Sequence, residues 1–177
     1  MAAFTVIDHT ELGASASSWD VTSIASSYDH LYGIVSCRTD ASVYSDQWGL
    51  RFNGDASGNY SSTFIYFSSG SAPLSARGSS QNAVQFLYGA AGASAAANVF
   101  GQMTFWVPNY SNSANFKSCI ARWANPNPSV TDSQYMLGTT AGLWDDTSAI
   151  DQITLIDVSG DDFVQYSTFT LYGVTGA

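Results

Sequence analysis

Charge is what this chain has least of. Of its 177 residues only five are basic (Arg38, Arg51, Arg77, Lys117 and Arg122) against fourteen acids, so charged residues amount to 11%, where a soluble domain commonly carries roughly a quarter. The five cations are scattered, which leaves no basic stripe to neutralise phosphates and argues against a nucleic-acid partner. An anionic membrane surface is disfavoured for the same reason. Glutamate occurs once, at Glu11, and histidine twice, at His9 and His30. No apolar run approaches the roughly eighteen residues of a membrane helix. Met1 to Asp8 has neither the basic n-region nor the apolar stretch of a signal peptide, so the expectation is a soluble chain made in a cytoplasm.

Cysteine is also scarce. Cys37 and Cys119 both fall within expected strands. A bridge between them would close a long loop and contribute about 4 to 5 kcal/mol. Nothing indicates an oxidising compartment, and two buried thiols acting as small hydrophobes is the preferred reading.

What the chain does have is apolar and aromatic surface: 45% hydrophobic residues, with 5 Trp, 10 Tyr and 10 Phe. That excludes simple disorder. A chain of 18.8 kDa folds to roughly 8,000 Å² of surface from about 27,000 Å² unfolded, which is enough burial to hold a fold without staples. With a net charge of −9 and so few charged groups, Ser, Thr, Asn, Gly and Tyr must cover much of the exterior.

Period-2 alternation recurs along the chain and helical periodicity is nearly missing. Leu31, Gly33, Val35 and Cys37 share one face of a strand, and Trp48, Leu50 and Phe52 one face of the next. The segments 63–67, 83–88, 102–107, 116–123, 150–158 and 168–174 repeat the pattern, and with 5–12 and a piece around Val21 they make about ten strands. Turn chemistry separates them at 68–70, 77–80, 109–112, 125–128 and 159–162. The stretch Gly89 to Asn98 could form a short helix, but its glycines favour a loop or a closely packed edge. No repeat or linker divides the chain. The expected architecture is therefore one all-β domain over residues 1–177, an antiparallel, jelly-roll-like β-sandwich.

Few patterns point to chemistry. The segment Phe52-Asn53-Gly54-Asp55-Ala56-Ser57-Gly58-Asn59-Tyr60 begins like a calcium loop, with oxygens at Asn53, Asp55, Ser57 and Asn59 and Gly58 at the sixth position. Its twelfth position is Phe64 where a bidentate Glu is needed, so a structural turn is preferred over a looser calcium site. The neighbours Asp145-Asp146 and Asp161-Asp162 point to opposite faces if extended, and read as solvated turns instead of a glycosidase couple. His9 follows Asp8 and His30 follows Asp29, but the chain has no Gly-x-Ser-x-Gly elbow and no zinc-ligand cluster. Trp48, Trp106 and Trp123 read as core. Tyr28, Tyr44, Tyr60, Tyr110 and Tyr135 lie near turns and are the better candidates for partner contacts. No catalytic, cofactor-binding or metal-ligating residue is assigned.

Read in order, several segments together resemble small tailed-phage virion structural proteins of β-sandwich type. They are Tyr28-Asp29-His30-Leu31; Leu50-Arg51-Phe52-Asn53-Gly54-Asp55 with Asn59-Tyr60; Val107-Pro108-Asn109-Tyr110 followed by Lys117; Gly142-Leu143-Trp144 with Ala149-Ile150-Asp151-Gln152-Ile153-Thr154-Leu155; and Ser167-Thr168-Phe169-Thr170-Leu171-Tyr172-Gly173-Val174. The likeness runs over nearly the whole chain, and the closing Phe-x-Leu-Tyr-Gly strand is its most specific part. It implies a non-enzymatic protein on the outer capsid surface of a virion: a decoration or cement protein, homotrimeric, whose partner is the major capsid protein. The alternative is a receptor- or glycan-binding tail or fibre module. A short chain without a long stalk looks more like the former.

Overall fold

A computed structural model describes residues 3–68, 72–128 and 135–176. Alternation of apolar with small or polar residues produces twelve strands among the described residues: β1 (Ala3–Glu11), β2 (Ser18–Val21), β3 (His30–Cys37), β4 (Ser45–Phe52), β5 (Tyr60–Ser68), β6 (Leu74–Gln81), β7 (Val84–Ala91), β8 (Gly101–Pro108), β9 (Lys117–Asn125), β10 (Met136–Trp144), β11 (Ile153–Asp157) and β12 (Thr168–Thr175). All pair antiparallel. They form an eight-stranded sheet in the order β1-β12-β3-β8-β9-β10-β5-β6 and a four-stranded sheet in the order β2-β11-β4-β7.

The pairing is nested. The first strand pairs with the last, β2 with β11, β3 with β8, β4 with β7 and β5 with β6, and successive pairs alternate between the sheets. That is the wrap of a jelly roll, as the spacing of strands and turns implied. The inserted hairpin β9–β10 widens only the larger sheet. With a surface of 8130 Å², the chain is as compact as its mass allows.

The core is the seam between the two inner faces. Trp48, Leu50 and Phe52 on β4 and Phe86 on β7 meet Leu31, Phe105, Trp144, Phe169 and Leu171 of the larger sheet, all buried. Aromatic pairs tie the layers directly: Trp19 on β2 stacks on Phe169 at 5.4 Å, and Phe52 lies 5.7 Å from Trp144. These separations suit the offset and tilted geometries that ring quadrupoles favour. The smaller sheet cannot cover the whole of the larger one, and the edge strands β1 and β6 are exposed over most of their length.

Two strands depart from the sequence reading. β6, whose segment Leu-Ser-Ala-Arg-Gly-Ser-Ser-Gln lacks apolar alternation, pairs only with β5 at the sheet edge, where packing makes little demand on sequence. The turn expected at Arg77 to Ser80 is instead a bulge inside it. Tyr60 faces Gln81 while Ser62 faces Gly78, and Ser80 takes a φ of 53°. Gly and Ser accept the irregular backbone that a bulge needs. The second, β10, is built of small residues whose absent side chains matter: Gly138 lies under the Trp123 ring and Gly142 under Val84.

The turns at Asn109 to Asn112 and Ser159 to Asp162 are observed. The turn expected at 125–128 is where β9 ends at Asn125 and the Asn127 amide donates to Asn125 O, while the one expected at 68–70 starts from the last residue of β5 and runs into residues 69–71, outside the described residues. The Gly89 to Asn98 stretch is both alternatives at once. It is the end of the edge strand β7, with Ala90 and Ala91 fully buried, followed by a loop. The Arg38 guanidinium holds that loop by donating to the carbonyls of Ala93, Ala95, Ala96 and Val99.

Gly33 faces Phe105 directly across β3 and β8, and the Phe105 ring occupies the space where a Cβ would sit. Gly33→Ala should therefore destabilise folding by about 1 to 3 kcal/mol, as overpacking of a filled core does. Urea unfolding at unchanged m-value is the check, and a loss below a few tenths would show that the ring moves aside freely.

Candidate interaction surface

A sheet packed on one side ordinarily turns polar side chains to the other. The outer face of the eight-stranded sheet instead sets large apolar side chains among its polar ones. Register places outward residues in continuous rows across the strands. One runs Phe67–Leu137–Ala124–Gln102–Ser36, the next Ile65–Thr139–Arg122–Thr104–Ile34, and a third Thr63–Ala141–Ile120–Trp106–Tyr32–Tyr172. Ile65, Ile120 and Leu137 are each more than half exposed, and Ile34 and Phe67 nearly so.

Two zones can be distinguished. Towards β5, β10 and β9 the face is aliphatic and includes a groove of about 700 Å³ bounded by Ile34, Ile65, Phe67, Phe100, Pro126 and Leu137. Towards β1 and β12 it is aromatic. Phe4 sits edge-on to Tyr32 at 5.8 Å and near Tyr172 at 6.0 Å, while Trp106 lies 5.9 Å from Tyr32 and 5.2 Å from the His30 ring. Seven strand spacings of about 4.8 Å and some 25 Å of strand length give roughly 800 Å² of face, the size of one side of a standard protein interface. Large apolar side chains exposed side by side on a face of that size mark a contact surface.

Arg122 is the charged group in this groove. Its side chain has no hydrogen-bond or ion-pair partner among the described residues, whereas Arg38 and Lys117 are committed to backbone carbonyls, Lys117 to those of Asn115 and Thr147. Burial pulls the Lys117 ammonium below its usual value, and Asp146 partly offsets this. The Arg122 guanidinium is thus free to meet a carboxylate or carbonyl brought by a partner.

The residues singled out in the sequence settle into structural roles. The Phe52 to Tyr60 segment carries the chain from the smaller sheet to the larger as a turn, with Asn53 and Gly54 at φ of 53° and 68°. The Asp55 carboxylate accepts from the Ser57 amide and hydroxyl, from Asn59 Nδ2 and, at 2.8 Å, from Trp144 Nε1. Asn53 closes the turn from the other side, donating to Ala149 O and accepting from the amides of Asp151 and Gln152.

The histidines stand apart from any acid–nucleophile couple. His9 Nδ1 meets Thr170 Oγ1 at 2.8 Å, and His30 Nδ1 accepts from the Asn109 amide. Asp8 instead takes Trp19 Nε1. Asp146 accepts from the Ser148 amide, which holds its carboxyl below the usual range. Cys37 and Cys119 are buried free thiols, both pushed up by burial, Cys119 to about 12.

Three aromatic assignments change. Tyr60 and Tyr110, expected as partner contacts, are fully buried. The Tyr60 hydroxyl is enclosed by Phe52 and Asp55 backbone, accepting from Phe52 N and donating to carbonyl oxygen, and burial pushes it well above the usual phenol range. Tyr110 donates to Ala25 O. Trp106, expected in the core, lies on the outer face with Tyr32, because on β8 it is Phe105 and Val107 that point inward. Tyr28 packs over Gly173, whereas Tyr44 and Tyr135 are exposed.

No protein-family model matches this chain, and no curated protein matches it significantly. The outer face itself escaped the sequence reading, although a signal was present. Leu31-Tyr32-Gly33-Ile34-Val35 and Cys119-Ile120-Ala121 are near-continuous apolar runs, and such runs mean strands covered on both faces.

The turn at Asp55 makes a checkable statement about acid stability. Burial alone would raise its carboxyl, but hydrogen bonds from Ser57, Trp144 and Asn59 prevail and hold it at about 2 against 3.8. A depressed folded-state value stabilises above the unfolded value and is lost as pH falls through the folded one. Wild type should therefore lose stability more steeply than Asp55→Asn on going from pH about 4 to about 2. Parallel slopes in denaturant titrations across that range would contradict this account.

Proposed function

We propose that this chain is a bacteriophage capsid decoration, or cement, protein, and that the outer face of its eight-stranded sheet is the surface laid against the major capsid protein. The observation that supports the reading is that face: about the area of a standard interface, with large apolar side chains recurring in rows that also carry Thr, Ser, Gln and Arg122, and left uncovered by the chain's own strands. The full-length resemblance to virion β-sandwich proteins supplies the class of partner. Charge supports the choice of a partner over self-stacking alone. Stacking two copies face to face through this sheet would bring two charges of −9 together, and Arg122 offers its donors to an acceptor from outside.

The mechanism needs no reaction. Each copy, within a homotrimer over a junction between capsid subunits, buries apolar and hydrogen-bonding surface on more than one neighbour. Because it binds the assembled shell better than separated subunits, it shifts the equilibrium towards the shell by mass action. A rigid sandwich suits this role, since little conformational entropy is lost on docking.

A second reading rests on the aromatic zone. Exposed Phe4 and half-buried Tyr32, Trp106 and Tyr172 form a surface ring cluster of the kind that stacks on sugars, which would suit a receptor- or glycan-binding tail module.

Purified particles separate the two. Cement implies hundreds of copies per virion, and a handful would contradict it. Ile120→Glu and Leu137→Glu each place a charge in the middle of the proposed contact. They should lower occupancy on stripped particles at least tenfold while leaving the thermal midpoint close to wild type, as exposed substitutions do. Full occupancy by both variants would rule out this face as the contact.

A further inference from the structure

We propose that Asp46, Asp157 and Asp161 form a calcium site at the end of the smaller sheet, where β4 begins and β11 ends. Asp46 and Asp157 are each about 95% buried, at 5% and 4% exposure, and one oxygen from each of the three carboxylates lies within 4.8 Å of the others. Two oxygens on opposite sides of one calcium ion, each at about 2.4 Å, are separated by that distance. That is the upper limit for oxygens sharing one ion, and the three carboxylates fall within it.

The chain builds this cluster deliberately. A bulge opposite Asp46 shifts the β4–β7 register, so that Asp46 faces Ala90 and Trp48 faces Phe86, with Tyr88 between them at a φ of 62°. Asp46 is oriented by Thr39, whose hydroxyl donates to Oδ2 at 2.7 Å, and by the Gln47 amide on Oδ1. Asp157 Oδ1 accepts the amides of Ser159, Gly160 and Asp161 at 2.7, 2.8 and 3.1 Å, which curls the turn and brings Asp161 back over the site.

The remaining oxygen points to a ligand. Asp157 Oδ2 is sealed from solvent and has no hydrogen-bond donor among the described residues. A buried carboxylate oxygen left without a donor is expensive, and here the Asp46 carboxyl lies beside it. The cations nearest Asp46 in sequence are engaged elsewhere, Arg51 Nε with Asn82 O and the Arg38 guanidinium with four loop carbonyls. Further negative charge surrounds the cluster, since Asp40 and Asp162 act on Asp161. Burial and Asp46 push the Asp157 carboxyl well above its usual range, and the same two aspartates help push up Cys37. A hard dication satisfies the carboxylates together, and half-exposed Asp161 leaves room for waters to complete the six to eight oxygens calcium takes. Calcium is favoured over magnesium because ligands on a strand, a bulge and a turn suit irregular coordination better than a strict octahedron.

The test is thermal unfolding of the whole chain, with terbium luminescence as a direct probe. Millimolar calcium should raise the midpoint over that in chelator by several degrees, on the order of 5 °C at a hundredfold excess over Kd, and terbium should bind and be displaced by calcium. Asp161→Asn, half-exposed and harmless to the core, should weaken calcium at least tenfold, and Asp157→Asn should abolish the calcium response. Equal midpoints in chelator and calcium, with Asp157→Asn as stable as wild type or more so, would mean that a shared proton serves the pair and would overturn the proposal. Magnesium giving the whole shift at the same concentration would overturn the choice of calcium.

Discussion

The packing of Trp48, Phe52 and Phe86 from a narrow sheet against Phe105, Trp144 and Phe169 from a wide one governs the rest of this molecule. Burying these six rings stabilises the fold at about 25 cal/mol per Å² of apolar area, and the geometry leaves little slack. Gly33, Gly138 and Gly142 are glycines because rings or branched side chains fill the space beside them. The Asp55 turn follows from the same demand. Trp144 buries its ring against Phe52 and Tyr60, and its Nε1 needs an acceptor, which Asp55 supplies.

A seam of this kind can satisfy one face of each sheet. The larger sheet, eight strands wide, therefore presents an outer face that the described residues leave bare and that is rich in large apolar side chains. An exposed surface with Ile34, Ile65, Ile120 and Leu137 costs solubility unless it is covered in use. The scarcity of charge falls into place beside it: a protein with large contact areas has less surface on which charge is tolerated. Acids at the turns, such as Asp145 and Asp162, keep the uncovered remainder soluble and repelling. The internal carboxylates Asp46 and Asp157 are different in kind, held by backbone amides and Thr39 as a preformed polar pocket at the sandwich end.

The sandwich was legible because inward residues on most strands are large and their neighbours small: Trp48, Leu50 and Phe52 declare their face unaided. β6 and β10 were not legible for opposite reasons. The edge strand β6 is specified by hydrogen bonding to β5 and hardly by side chains, while β10 is specified by the absence of side chains at Gly138 and Gly142. Tyr60 and Tyr110 misled because proximity to a turn says nothing about which way a ring points, and both rings fold back into the core. The outer face could have been found in Leu31 to Val35, where apolar residues occupy both phases of the alternation. The carboxylate cluster could not, since Asp46 and Asp157 are 111 positions apart, and only the nested pairing brings them together.

The central claim is that the outer face of the eight-stranded sheet is a buried interface in the working particle. A single-particle reconstruction of the virion tests it most directly. The account predicts density for this chain over capsid subunit junctions, with Ile120, Leu137 and Arg122 against capsid protein. A chain found only at the tail, or bound to the shell with that face turned to solvent, would contradict it.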